Sequence, residues 1–243
     1  MRNFDRIFIR GDTHGDFDFL DDFCEKACTT THDLLIILGD ASINYYPPNH
    51  KWHMELTSKL RHMPITLFCI RGNHEDRPED RPEYHCEDVG IGDPVYVSNW
   101  MPNVWFAKSV GEYVLDGMKC LVAGGAYSVD KLRRITNGDK WVANEQLTYE
   151  EKYKLLQIAE RDIWDHVFTH TCPIDWMPRD LFLPDIDQTK VDNTMENLFQ
   201  AMIECDIKFK HWWFGHYHDH RMDVCGDRKV HMLYKTIVEL PSI

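Results

Sequence analysis

Short apolar runs alternate with amphipathic segments at the start of the chain. Residues 7–10, 34–38 and 65–70 are apolar runs of strand length. Between them, residues 17–28 and 52–61 place their apolar side chains on one helical face. Strand, helix, strand, helix, strand is the order of a mostly parallel sheet covered by helices, which we therefore predict here.

The rest of the chain predicts a second sheet. Residues 77–94 are polar and rich in Pro, Glu and Asp, which predicts a long surface loop, and residues 144–161 predict a helix. The predicted strands are residues 104–108, 112–115, 119–123, 167–168 and 212–214, with more antiparallel sheet over residues 230–240. Because the first three of these strands are closely spaced, we expect hairpins and a largely antiparallel second sheet.

Composition predicts one soluble, cytoplasmic domain over residues 1–243. Hydrophobic residues make up 43% of the chain, and no repeat or flexible linker divides it. No apolar run reaches the length that crosses a bilayer, and the first residues do not resemble a signal peptide. In a reducing compartment the eight cysteines are expected to be buried thiols. Cys24 and Cys28, one helical turn apart, are expected to pack in the core rather than bind zinc.

The net charge of −13 argues against extended nucleic acid as a partner, because phosphate backbones bind Lys and Arg patches. It does not exclude a local phosphate site, since bound divalent cations can reverse the sign of one pocket.

Five apolar runs are each followed at once by residues able to bind metal. The segments are IFIRGDTHG, LLIILGD, LFCIRGNHED, HVFTH and WWFGHYH, which supply Asp12, His14, Asp40, Asn73, His74, His170, His216 and His218. Ligands of α/β sheets bind beyond the carboxyl ends of the strands, so we expect these side chains to meet at one edge. Glycines 11, 39, 72 and 215 precede the ligands, where glycine permits sharp turns and close approach of the backbone.

The mixture of carboxylate, imidazole and amide suits Mn²⁺, Fe²⁺ or Zn²⁺ better than Ca²⁺. Seven ligands are too many for one ordinary site and about right for two ions that share a carboxylate. Two such ions can activate a bridging water and hold the phosphoryl oxygens during in-line displacement. The pattern therefore indicates hydrolysis of a phosphate ester.

These blocks, in this order from residue 11 to residue 218, resemble those of the calcineurin-like metallophosphoesterases. The resemblance implies an α/β fold with a two-sheet β-sandwich flanked by helices, in four α/β/β/α layers. It implies a dinuclear metal site, with Mn²⁺, iron as Fe²⁺ or Fe³⁺, or Zn²⁺ as cofactors and a metal-bridging hydroxide as nucleophile. His74 would be the general acid. The implied ligands are Asp12, His14 and His218 for one ion, Asn73, His170 and His216 for the other, and Asp40 as the bridge.

One block departs from the branch that includes the protein Ser/Thr phosphatases. In that branch GD is followed, two residues later, by Asp-Arg-Gly, whereas GDASINY places Ile43 and Asn44 at the Asp and Arg positions. A carboxylate that orients the general acid and one phosphate-binding guanidinium are therefore missing from their usual places. Glu75 or Asp76 could orient His74. Asn44, Arg71 and Arg77 are candidates to contact phosphate, although a solvated surface charge is the simpler interpretation of Arg77.

Residues 123–151 look similar to a segment of bacterial and phage-type members, in which the loop before the helix lies near the active site. Tyr127, Arg133, Arg134 and Trp141 are therefore candidates for substrate choice. The alternative is that Trp141 packs beneath the helix and the arginines are solvated.

The sequence is compatible with several functions. The enzyme could be a phosphomonoesterase, a phosphodiesterase or nuclease acting on short nucleotides, or a protein Ser/Thr phosphatase. Its substrate would be a phosphorylated small molecule, a nucleotide or a phosphoprotein, and no membrane partner is expected. The non-enzymatic alternative is a metal-binding scaffold, but a scaffold has no reason to retain a proton donor such as His74.

Overall fold

Two mixed β-sheets pack face to face in the computed structural model, which describes residues 2–241. The seven-stranded sheet contains β1 (Ile7–Arg10), β2 (Leu34–Ile37), β3 (Thr66–Cys69), β4 (Tyr84–Glu87), β5 (Val95–Ser98), β6 (Met101–Phe106) and β13 (Val238–Glu239). The six-stranded sheet contains β7 (Val110–Leu115), β8 (Met118–Ala123), β9 (Ile163–Thr169), β10 (Lys208–Phe214), β11 (Arg221–Cys225) and β12 (Arg228–Met232). The α-helices of the described residues are α1 (Phe19–Ala27), α2 (Lys51–Leu60), α3 (Lys131–Asn137), α4 (Tyr149–Ala159) and α5 (Thr194–Glu204).

Parallel neighbouring strands place the ends of β1, β2 and β3 at one edge of the first sheet. The strand order is β13-β1-β2-β3-β6-β5-β4, and Ile9, Ile36 and Phe68 lie side by side across the three central strands. The second sheet has the order β11-β12-β10-β9-β8-β7, with Trp213 of β10 opposite Phe168 of β9. The loops that follow these five strands carry the candidate ligands.

Apolar side chains form three layers, which give the four-layer α/β/β/α sandwich. In β2, Leu34 and Ile36 point into the layer between the two sheets, while Leu35 and Ile37 pack with residues of α1 and α2. The outer face of the second sheet packs with α4 and α5 in the third layer. A central parallel strand is buried on both faces, which is why β2 reads as a continuous apolar run.

The predicted elements β1, β2, β3, α1 and α2 are confirmed to within two residues at each end. The expectation of a largely antiparallel second sheet is wrong, because three of its five strand pairs are parallel, including β10 with β12. Strand β4 lies inside the predicted loop. It is an edge strand with three exposed residues, so its sequence is polar. Helix α5 was not predicted.

The predicted helix over residues 144–161 begins later, at Tyr149. Thr148 accepts the amide of Glu151 and Glu151 accepts the amide of Thr148, which forms a capping box. The residues before this cap are irregular, and their carbonyl groups accept hydrogen bonds from Arg71 and Arg77 of the loop after β3.

Seven cysteines have described side chains, and all seven are free thiols. Cys24 is buried as expected, but Cys28 ends α1 in a left-handed conformation and is exposed, as are Cys86 and Cys205. The expectation of buried thiols therefore fails for these three. Within residues 2–241, no helix combines the length and the apolar character needed to cross a membrane.

Candidate metal centre and active site

One group of ligands lies where the loops after β1 and β10 meet. The Nε2 atoms of His14 and His218 are 2.9 Å apart, and Asp12 Oδ2 lies 3.2 Å from His218 Nε2 and 3.7 Å from His14 Nε2. Two nitrogens bound to one ion at about 2.1 Å, at right angles, are about 3.0 Å apart. The spacing of these three side chains therefore fits a single ion.

A second group surrounds His170, which follows β9. His170 Nε2 lies 2.9 Å from Asn73 Oδ1 and 3.6 Å from Asp40 Oδ1, and its ring centroid is 4.9 Å from that of His216. The other ring nitrogen, Nδ1, lies 2.8 Å from the carbonyl oxygen of Leu38. A proton on Nδ1 would donate to that carbonyl, which leaves the Nε2 lone pair facing the other ligands.

Asp40 lies between the two groups. Its Oδ1 faces His170, while its Oδ2 lies 3.8 Å from His14 Nδ1 and 3.9 Å from His74 Nε2. One carboxylate thus presents an oxygen to each group, which is the arrangement of a ligand shared by two ions.

The glycines before the ligands are required mainly because the backbone approaches the carboxylates closely. A Cβ atom on Gly72 would lie 2.0 Å from Asp40 Oδ1, and one on Gly215 would lie 2.2 Å from Asp12 Oδ1. Of the four predicted glycines, Gly39 alone has a positive φ, at +94°. Close approach rather than turn geometry therefore explains the other positions.

Four candidate ligands adopt left-handed backbone conformations. The φ angles are 48° at His14, 49° at Asp40, 67° at His216 and 57° at His218. Such conformations cost about 1–3 kcal/mol each for residues with a side chain, and they cluster at functional sites. At these four positions the left-handed conformation lets the chain turn after a strand, so that the side chains converge on one point.

The electrostatics of the centre favour bound positive charge. Asp12 and Asp40 are buried, and Asp12 Oδ2 accepts no hydrogen bond from the described residues. Burial alone would lower the pKa of His170, but the charges of Asp40 and Asp12 outweigh it and raise that pKa to about 9. Burial and the nearby charge of His170 lower the pKa of His216 to about 3, so this imidazole is neutral and can offer a lone pair to a metal ion. The free carboxylate oxygen of Asp12 and the neutral imidazole of His216 are both suitable ligands for a divalent ion.

A chain of hydrogen bonds that the sequence did not predict orients Asn73. Asn73 Nδ2 donates to Ser128 Oγ at 2.9 Å, and the Ser128 hydroxyl donates to Glu145 Oε2 at 2.5 Å. Trp141 Nε1 also donates to Glu145 Oε2, at 3.0 Å. Because the amide nitrogen is held by Ser128, the amide oxygen of Asn73 faces His170 and the metal centre.

Glu75 links two loops rather than orienting His74. Its Oε1 accepts the amide of Gly72 at 2.8 Å and its Oε2 accepts the amide of Ser42 at 3.2 Å. Glu75 is buried, and burial together with the charge of Asp40 raises its pKa to about 7. It thereby ties the loop after β2 to the loop after β3.

Asp76, the other expected partner of His74, forms ion pairs with Arg81 and Lys140. Over residues 2–241 neither Glu75 nor Asp76 accepts a hydrogen bond from the His74 ring.

Arg77 is not the solvated charge that we expected. Its side chain is 5% exposed, and its guanidinium forms a bidentate ion pair with Glu151 at 2.6 and 3.0 Å. It also donates to the carbonyl oxygens of Asn144 and Gln146. Arg77 therefore fastens the β3 loop to the segment before α4.

Arg71 and Asn44 are buried in the same way. Arg71 donates to Ser109 Oγ at 3.0 Å and to the carbonyl oxygen of Glu145 at 2.6 Å, and Asn44 Nδ2 donates to the carbonyl oxygen of Asp76 at 2.7 Å. Placed and bonded in this way, these two residues and Arg77 hold loops together. Their contact with phosphate stays a prediction, which these internal hydrogen bonds do not favour.

The two arginines of α3 differ in exposure, and the alternative that both are solvated holds for Arg133 alone. Arg133 is solvated, with a side chain 73% exposed, and reaches Asp130 from outside. Arg134 is 21% exposed and lies between Asp130 and Tyr45. Trp141, bonded to Glu145, is half-buried and lies under the ammonium group of Lys131.

Comparisons with known proteins identify the family and similar folds. The family model described as calcineurin-like phosphoesterase matches residues 5–220. Among solved structures, the phosphopantetheinyl hydrolase from Mycobacterium tuberculosis aligns with 95% of this chain and 89% of its own, at 13% identity and a TM-score of 0.50. A putative 5'-nucleotidase from Staphylococcus aureus aligns with 98% of this chain and 51% of its own, at 17% identity and a TM-score of 0.48. An archaeal phosphodiesterase aligns with 95% of this chain and 84% of its own, at 10% identity and a TM-score of 0.39.

No curated protein matches the sequence. Identities this low show a shared fold alone, so the assignment depends on the family model, which covers most of the chain and all of the candidate ligands. The chain therefore belongs to the calcineurin-like phosphoesterase family and is a metal-dependent hydrolase.

Proposed function

We propose that the chain hydrolyses a phosphate ester at a centre of two divalent metal ions, with His74 donating a proton to the leaving oxygen. The observation that carries the proposal is the position of Asp40, whose two carboxylate oxygens face His170 on one side and His14 on the other. Two separate groups of ligands joined by one carboxylate are what a dinuclear hydrolase requires.

The residues present fit this assignment. Asp12, His14 and His218 would hold one ion, Asn73, His170 and His216 the other, and Asp40 both. When bound, the ions supply a water of lowered pKa and positive charge for the phosphoryl oxygens. The mixture of donors suits Mn²⁺, iron or Zn²⁺.

The proton donor is assigned from position and access. His74 Nε2 lies 3.9 Å from Asp40 Oδ2, and the side chain is 18% exposed, so a substrate at the rim can reach it. Burial is the main cause that lowers the pKa of His74, and it makes the imidazolium a stronger acid. We favour a small phosphorylated molecule or a nucleotide over a phosphoprotein, because Asn44 replaces a guanidinium and is itself buried.

The general function is tested with protein stripped of metal by a chelator and then supplied with Mn²⁺. Turnover is measured on p-nitrophenyl phosphate and on bis-p-nitrophenyl phosphate. Activity restored by metal on either ester supports the proposal, and the faster ester separates a monoesterase from a diesterase. Bound metal without turnover of either ester would favour the scaffold.

The role of His74 is tested by leaving-group dependence. We expect His74→Ala to retain its metal and to lose about 10²–10⁴-fold of turnover on a phenyl ester, whose leaving oxygen needs a proton. The loss on the p-nitrophenyl ester should be much smaller, because that leaving group departs as an anion. The matched control is His220→Ala, which removes an exposed histidine two residues beyond His218. Equal losses on both esters, or no loss on the phenyl ester, would remove His74 from this role.

A further inference from the structure

Arg134 of α3 contacts the loop after β2, the loop that also carries Asp40. Ser128, which binds Asn73, is followed two residues later by Asp130 at the start of α3. Arg134, one turn into α3, donates from Nε to Asp130 Oδ1 at 2.8 Å and from Nη1 to the Tyr45 hydroxyl at 3.4 Å. Tyr45 belongs to the loop after β2, so Arg134 is held from two sides where that loop meets α3.

The Asp130–Arg134 pair lies close to the loop that carries the proposed proton donor. Ser128, two residues before Asp130, binds Asn73, which directly precedes His74. On the other side, Ser42 Oγ donates to the carbonyl oxygen of His74 at 3.2 Å, and Tyr45 follows Ser42 in the same loop. Arg134 therefore lies between two segments that both contact the His74 loop, on the side where a leaving oxygen would be protonated.

Arg134 also retains a donor that a ligand can reach. Its Nη2 forms no hydrogen bond within residues 2–241, and its side chain is 21% exposed. Arg71 has an unbonded Nη2 as well, but that atom is completely buried. The guanidinium of Arg77 is occupied by Glu151 and by backbone carbonyls. Of these three arginines, only Arg134 offers an accessible N–H group at the rim.

We propose that Arg134 contacts a non-bridging oxygen of the substrate phosphate through Nη2, beside His74 and away from the metal ligands. This inference rests on the proposed function, since it places the phosphate at the metal centre. A guanidinium suits the task because its donors are planar and its charge is permanent. Asp130 and Tyr45 hold Nε and Nη1, so little side-chain freedom is lost when Nη2 binds phosphate.

The test is the affinity of the Mn²⁺-loaded protein for inorganic phosphate, measured by calorimetry and as competitive inhibition of p-nitrophenyl phosphate hydrolysis. We expect Arg134→Gln to bind phosphate about 10- to 100-fold more weakly, the effect of losing one charge-assisted hydrogen bond. Metal content, which a disturbed centre would change, should stay at the wild-type value. The melting temperature should fall by only a few degrees, because the bonds to Asp130 and Tyr45 that are lost are partly exposed. Arg133→Gln is the matched control, because Arg133 pairs with the same Asp130 but points to solvent, and it should bind phosphate as the wild type does.

Phosphate affinity of metal-loaded Arg134→Gln equal to that of the wild type, or an equal loss in Arg133→Gln, would overturn the assignment. If Arg134→Gln does not fold, Arg134→Lys is compared with Arg133→Lys. An ammonium group cannot bond Asp130 and Tyr45 while reaching the ligand, so weaker phosphate binding by Arg134→Lys supports the proposal and equal binding refutes it. Calorimetry measures the contribution of Arg134 to phosphate affinity even if the wild type hydrolyses no ester. A wild type without turnover would refute the proposed function and leave this test of Arg134 intact.

Discussion

Replacing Gly72 with alanine should damage the metal centre through one added methyl group. Gly72 lies in the loop after β3, and its φ is outside the left-handed region, so alanine can adopt the same backbone conformation. Its amide can still donate to Glu75. The three atoms nearest the added methyl group all belong to Asp40, so the substitution tests crowding at that residue.

The magnitude follows from the distances. The new Cβ would lie 2.0 Å from Asp40 Oδ1 and 2.2 Å from the Asp40 backbone nitrogen, whereas real Cβ atoms essentially never approach closer than 3.0 Å. The two loops must therefore separate by about 1 Å, while metal–ligand distances tolerate about 0.2 Å. We expect affinity for Mn²⁺ to fall at least about 10–100-fold, the range seen when groups that support a ligand are changed. Overpacking should also cost about 1–3 kcal/mol of stability.

The assay is calorimetric titration of chelator-treated protein with Mn²⁺, with metal analysis of the dialysed product and a denaturant melt of the metal-free form. Gly117→Ala is the control, because Gly117 has a positive φ of +81° and nothing lies within 4 Å of the added Cβ. That variant should lose stability through backbone strain and retain wild-type metal affinity. If Gly72→Ala binds two ions as tightly as the wild type, Asp40 is not the shared ligand that we infer.

Two further predictions concern groups away from the ions. Ser128→Ala should weaken Mn²⁺ affinity about 10-fold, because Asn73 loses the acceptor that orients its amide, and unchanged affinity in the same titration would contradict this. Burial is the main cause that lowers the pKa of His166 to about 3 and that of His231 to about 4. Below pH 6.5 the unfolded chain binds a proton at each histidine while the folded protein does not. The free energy of unfolding is therefore unaffected above pH 6.5 and decreases as pH falls towards those pKa values. At pH 5 each should have lost about 2 kcal/mol, and in metal-free protein His166→Gln should lose about 2 kcal/mol less than the wild type between pH 7.5 and pH 5. The free energies of unfolding are measured by denaturant titration at both pH values. An equal decrease in the wild type and in His166→Gln would refute that assignment.

The sequence predicted those parts of the fold that depend on local pattern. Strand β2 was recognisable because both of its faces are buried, whereas β4 exposes three of its four residues and reads as a loop. The direction of strands in the second sheet was predicted wrongly for a different reason. Residues 230–232 show that a strand is present, but its parallel pairing with β10 is set by the path of the chain between them.

At the site, the sequence predicted side chains that directly follow strands and failed for groups joined over long separations. His170 and Asp40 each stand at the end of an apolar run, so position along the chain revealed them. Arg77 and Glu151 are 74 residues apart, and both lie in polar surroundings that predict a surface. Ser128 is likewise an ordinary residue until the fold brings it to Asn73, 55 residues away.

The segment between β8 and α4 connects metal binding with the proposed contact to substrate. Ser128 and Glu145 orient Asn73, a proposed metal ligand. The carbonyl groups of residues 144–146 accept hydrogen bonds from the guanidinium groups of Arg71 and Arg77. Between these two anchors lies α3, none of whose residues is buried, with Arg134 on the side that faces Tyr45. Because α3 contributes nothing to the apolar layers, its outer positions can change with little cost to the fold. Changes at Ser128 or Glu145, by contrast, should weaken metal binding, because they release the amide of the proposed ligand Asn73.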